Sequence, residues 1–395
     1  MLNWVVLIAL CFVWSPRTQA ADVAAQVNWS LAMRKMQAVV KDILVEVATD
    51  PAGNDVKNRK TLKKNSKKFA ELAHSLKSTE VKPSDADPSL LLIAGLLDQE
   101  ASNAYNQLKA GNQIYGRGVL RNITGYCVAC HTRSGVGISF TAGPEDSVIK
   151  KLKPFEQANF FVASRQFDAA LDRYERVLGD SEAASRRRMQ WESSVRSALA
   201  IAIRVKGDSN RAMSIIDRAL AVPAVPSYFR DQAQKWKKSV EAWKAEPARK
   251  LTSEDGRLAE AKRLYAKARE EQEYPADRSA DVTYLRASAS LHEYLSFHPQ
   301  GSGADEALYL LGAIYDVLQD ADLWELPEIY FQACIHRTPH SVLARACYRR
   351  YEESVYNGYS GSAGTNLPDD VVVRLKELEQ LASPSSNSSK KPGLQ

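Results

Sequence analysis

The chain is poor in the residues from which most catalytic and metal sites are assembled. Its 395 residues include five cysteines, six histidines and 19 glycines. So little glycine, with 45% hydrophobic and 25% charged residues, goes with a folded, helical, soluble protein. No credible hydrolase triad or metal cluster is visible around the six histidines, four of which fall between 292 and 340. The glycine-rich stretch NGYSGSAGTN at 357–366 lacks the lysine of a phosphate cradle, which leaves a connector or a partner-binding edge. After the N-terminus no run is long and apolar enough to cross a membrane. The formal charge of +6 is slight for this length and does not imply nucleic acid.

What is present begins with an apolar run at residues 2–14, too short for a comfortable bilayer span, followed by polar residues ending Thr18-Gln19-Ala20. This reads as a secretory signal over 1–20 with cleavage after Ala20; the weak positive start leaves an uncleaved anchor as the alternative. Cys11 follows Leu10, where a lipidation site needs a small residue. The mature chain is therefore expected to be exported, to the periplasm, without a transmembrane segment. Between Lys57 and Lys68 stand six lysines and Arg59 with no acid. Such runs are usually solvated helix faces, and beside a redox centre one can steer an acidic partner.

The chemistry concentrates in Cys127-Val128-Ala129-Cys130-His131. A thioredoxin-like dithiol belongs beside a βαβ pattern, and no alternating strand signal surrounds this one. A zinc site needs four ligands, yet the nearest other histidine is His74. Covalent attachment of a c-type haem needs two thiols a helical turn apart with a histidine directly behind them, which this stretch supplies. One covalent haem c is expected, on Cys127 and Cys130, with His131 as axial ligand.

Upstream, Trp29, Met33, Met36, Val40, Ile43 and Val47 recur in steps of four and three, predicting a helix over about 28–48. A second is expected over 61–78, ending before Pro83. A third is expected from a Ser89 cap through Leu108, and a fourth from the Gly111-Asn112 turn to the cysteines. Four helices with short connections predict an antiparallel bundle. With Ala110-Gly111-Asn112 one helix before the Cys-X-X-Cys-His motif and methionines in the first helix, residues 25–133 resemble the class II c-type cytochromes, the cytochrome c-prime group. The resemblance implies a haem wedged between helices, His131 proximal, and a first-helix residue on the other side of the iron. Met33 best matches that place and Met36 lies one turn on; packing is the plain alternative for both, since methionine fills irregular gaps. His74 is an outside candidate. Thr132 to Gly137 breaks the helix where the family continues it.

The C-terminal part reads as repeats. Residues 158–178 and 198–220 are each helix, turn, helix, with Ala170 and Ala212 at equivalent places 42 residues apart. Pro299 and Pro339 mark corresponding helix boundaries 40 apart, and 256–270 suggests a further unit. These segments resemble degenerate tetratricopeptide repeats, which implies a helical-hairpin solenoid binding a peptide or partner protein on its concave face. Cys334 and Cys347, in consecutive helices around Thr338-Pro339, predict a disulfide in an oxidising compartment. A metal reading of His336 and His340 would need both to converge with the cysteines.

The expected organisation is all-α: signal 1–20, four-helix haem bundle 21–140, repeats 150–382, disordered tail 383–395, with the two main parts folding separately. The expected function is electron transfer to or from a redox partner held by the repeats, without substrate chemistry. An iron lacking a sixth ligand would instead bind nitric oxide, carbon monoxide or peroxide, and a third reading is a haem-stabilised adaptor.

Overall fold

The computed structural model describes residues 16–77, 87–133, 146–247, 253–319, 323, 325–362 and 364–384, with 16–29 as backbone only. Most of the expected signal, the Trp29 side chain, Pro83, residues 134–145 and the tail from 385 lie outside the described residues. Within them the protein is all-helical apart from a two-stranded ladder, β1 Ser360–Gly361 with β2 Gly364–Thr365.

Helix α1, Pro16–Thr49, follows its apolar phase: Met36, Val40, Ile43 and Val47 are buried and Met33 is half-buried at the edge. Helix α2, Val56–Lys77, starts five residues before the expected position. Asp55 Oδ1 accepts from the amides of Lys57 (2.7 Å) and Asn58 (3.2 Å), satisfying donors that a helix start leaves open. Helix α3, Pro88–Lys109, is capped by Asp87 rather than Ser89. The Asp87 carboxylate accepts from the Ser89 amide and hydroxyl, and Pro88 occupies a first-turn position where no N–H is needed. The expected fourth helix is two pieces, α4 Gln113–Asn122 and α5 Thr124–His131, joined at fully buried Ile123. At Gly53, φ is +72° and a Cβ would stand 2.7 Å from Arg117 Nε, so this turn requires glycine. Arg117, itself buried, donates from there to the Asp50 carbonyl and to Asn58.

After a 3-10 turn at Ile149–Lys151 come α6 Pro154–Ala163, α7 Phe167–Leu178, α8 Ser181–Arg186 and α9 Arg188–Ala200, which runs on as a π-turn over Ile201–Val205. Then follow α10 Ser209–Leu220, α11 Ser227–Ala245, α12 Glu254–Glu271, α13 Asp281–Phe297, α14 Ala304–Leu318, α15 Leu326–Arg337, α16 Val342–Gly358 and α17 Asp369–Ala382. Ala170 and Ala212 are both fully buried. Pro299 and Pro339 each directly follow a helix C-cap, His298 and Thr338.

Helix α1 packs on α2, α2 on α3 and α3 on α4, which returns to α1. Later helices pack mainly on their neighbours in sequence, α12 on α13 through α16 on α17. The two stretches are joined: α5 packs on α6, α15 reaches back to α3, and the buried apolar residues of both belong to one contiguous core.

Candidate functional site

Helix α5 turns Tyr126 and Ala129 into the core, which leaves Cys127 and Cys130, one turn apart, half-buried on its flank. Both are unpaired. Burial pushes the Cys127 thiol up to about 12; burial also raises Cys130, against the opposing charge of Arg133. A redox dithiol depends on a depressed thiol pKa, so these two groups, protonated at neutral pH, are unsuited to disulfide exchange.

His131 ends α5. Its Nδ1 lies 2.6 Å from the carbonyl oxygen of Ala163, the last residue of α6. A carbonyl only accepts, so Nδ1 carries the proton and Nε2 keeps the lone pair. Burial, then the charge of Arg165, holds the imidazole down to about 4, while the bond to Ala163 opposes them. His131 is therefore neutral at physiological pH. A donor bond from one ring nitrogen to a backbone carbonyl is the usual support for a histidine that ligates metal through the other. Arg165, in the turn after α6, adopts φ 58°, an unfavourable conformation for a non-glycine residue, and from it Nη1 donates to the His131 carbonyl at 3.0 Å. A cation is thus spent on closing the carbonyl end of the motif helix. The thiols and the imidazole fit a c-type haem.

Directly behind the motif lies a buried polar chain that residue types alone did not suggest. Arg133, 8% exposed, donates to Asp87 Oδ2 at 2.6 Å and Ser89 Oγ at 2.8 Å, and its guanidinium sits 5.3 Å over the ring of Tyr330 in α15. Tyr330 stacks on Tyr315 at 5.1 Å, and Tyr315 shares a 2.7 Å hydrogen bond with His292 Nε2. Arg204, in the π-turn, lies 5.2 Å over Tyr315 and donates to Ser288 Oγ at 2.9 Å. The chain couples the end of α5 to α13, α14 and α15. The one local clue was a basic residue two positions after the histidine.

The other expected residues are placed as follows. Met36 is buried in the core and Met33 packs at its margin, on a helix whose principal neighbours are α2, α4 and the 3-10 turn; those of α5 are α3, α4 and α6. His74 is exposed and bonds Asp98 through Nδ1 at 3.2 Å. Cys334 and Cys347, both fully buried, form a disulfide between α15 and α16 with Cα atoms 6.3 Å apart. His340 Nδ1 bonds the Ser383 carbonyl at 2.7 Å, tying the end of α17 to the turn before α16. A cleft of about 190 Å³, bounded by Leu44, Val47, Val128, Phe155 and Tyr174, borders α5 at Thr124 and Gly125, away from the cysteine flank. Among the described residues no helix is long and apolar enough to cross a membrane.

No family model, curated protein or solved structure matches this chain.

Proposed function

We propose that the chain is an exported c-type cytochrome that carries one haem and exchanges electrons with a protein partner held by its C-terminal helices. The observation that carries this reading is the grouping on α5: two unbridged, protonated thiols one turn apart and, directly behind them, a neutral His131 whose Nδ1 proton is committed to Ala163. Cys127 and Cys130 would hold the haem through thioethers and His131 Nε2 would be its axial ligand; the bound group supplies reversible one-electron chemistry. Ala163 orients the imidazole through Nδ1, Arg165 holds the His131 main-chain carbonyl, and α5 packs its inner flank with Tyr126 and Ala129. The sequential packing of α1 to α4 supports a class II-like haem bundle. The neighbour-on-neighbour packing of the later helices, with Pro299 and Pro339 at matching boundaries, supports a repeat solenoid. Met33, at the margin of the core, is the sixth-ligand candidate we favour over Met36, whose thioether is enclosed by apolar packing.

The test is the protein expressed in a haem-attaching export system. Haem stain should remain on the chain after denaturing electrophoresis and should vanish in Cys127→Ser with Cys130→Ser. The dithionite-reduced spectrum should be low-spin and resist carbon monoxide, and Met33→Ala should open the site. Carbon monoxide binding by the unmodified protein would replace electron transfer with gas binding. A chain without covalent haem would end the proposal.

A further inference from the structure

The outer face of α2 is unlike the rest of the surface. All six lysines and Arg59 between positions 57 and 68 are exposed, while Leu62, Phe69 and Ala73 on the opposite face are fully buried against the core. With 3.6 residues per turn, Lys60, Lys63, Lys64 and Lys67 share one side, and Val56, 70% exposed, lies among them at its start. The acid this face meets is Glu71, 3.7 Å from Lys67 and itself largely exposed. Helix α2 thus offers water a strip of positive charge roughly 17 Å long at 1.5 Å per residue.

We propose that this face docks the protein on an anionic lipid surface. The strip calls for an anionic partner, and its composition decides between a protein and a bilayer. Protein interfaces favour aromatic residues and arginine and are depleted in lysine. Here six of seven cations are lysine, and the one aromatic residue of α2, Phe69, is fully buried. Headgroup attraction, by contrast, needs only clustered long-stemmed cations near the surface, with an exposed apolar side chain such as Val56 to enter the interface. The attachment proposed is peripheral, through the side chains of α2 at the headgroup level. It does not depend on the haem.

The test is co-sedimentation of the full chain with vesicles of phosphatidylcholine containing 30% phosphatidylglycerol, against pure phosphatidylcholine, at low salt. We expect binding to the anionic vesicles alone, weakened roughly fivefold per lysine removed. The quadruple variant Lys60→Gln, Lys63→Gln, Lys64→Gln, Lys67→Gln should then be weaker on the order of several hundredfold. These side chains are exposed, so helicity by circular dichroism should be unchanged. Equal binding to both vesicle types, unaffected by the variant, would assign attachment to the apolar run at 2–14 and overturn the proposal. So would failure to bind anionic vesicles while retaining a salt-sensitive complex with an acidic protein, which would make α2 a protein-docking face.

Discussion

Two cysteine pairs in one chain meet opposite ends. Cys334 and Cys347 come from different helices, lie in the dry core and are joined. Cys127 and Cys130 stand one turn apart on one helix, half-buried, unpaired and held protonated, with a neutral histidine at their side. The surroundings, not the residue type, separate the two fates. The first pair ties α15 to α16; the second leaves both sulfurs unbridged along one flank of α5.

The strongest way to break this comparison is to exchange the roles of the pairs. Cys127→Ala with Cys130→Ala should abolish covalent haem outright while mass mapping still finds the Cys334–Cys347 disulfide. Cys334→Ala with Cys347→Ala should leave haem content and spectrum unchanged. The next largest effect is expected behind the motif. Arg133→Ala removes one partner of a buried ion pair and leaves Asp87, 9% exposed, without it, so denaturant unfolding should show a loss of about 3–5 kcal/mol. A loss under about 1 kcal/mol would show that the buried chain does not hold α5 in place.

Removing the disulfide ranks third. The bridge closes a span of 13 residues, and its loss should cost about 2–3 kcal/mol through the freer unfolded chain. The smallest expected effect sharpens the picture of that helix pair. Glu328 in α15 accepts from Ser354 Oγ of α16 at 3.0 Å, and burial pushes its carboxyl up to about 7, with the Ser354 bond opposing. A carboxyl raised on folding stabilises fully below its unfolded value near 4.5, and that contribution is lost as pH rises through about 7. Glu328→Gln should therefore match the parent at pH 4.5 and exceed it by about 1–3 kcal/mol at pH 8, read from unfolding midpoints across pH.

Much of the local structure was legible because its causes are local. The four-three spacing of Met36, Val40, Ile43 and Val47 announces α1, and the Cys-X-X-Cys-His stretch is read from five adjacent residues. Helix starts were harder: Ser89 looks like a cap, but Asp87 two residues earlier outcompetes it by accepting from both the amide and the hydroxyl of Ser89. The break at Ile123 carries no proline or glycine and so left no mark. What completes the site is distant in sequence. Ala163, Asp87 and Tyr330 reach the motif through tertiary packing, which has no period to read. Arg133 and Arg204 are the residue types normally assigned to the surface, and partners distant in sequence let them be buried: the Asp87 carboxylate and the Tyr330 ring for Arg133, the Ser288 hydroxyl and the Tyr315 ring for Arg204.

The hydrogen bond from His131 to Ala163 also sets an order of events in time. The two residues are 32 positions apart, so a nascent chain presents the motif before α6 exists to meet it. In the unfolded chain the imidazole proton moves between the two nitrogens. Once α6 docks on α5, the carbonyl claims Nδ1 and the choice is closed. The Cys127 and Cys130 thiols are present in the extended chain, whereas which imidazole nitrogen of His131 holds the proton is fixed only by folding.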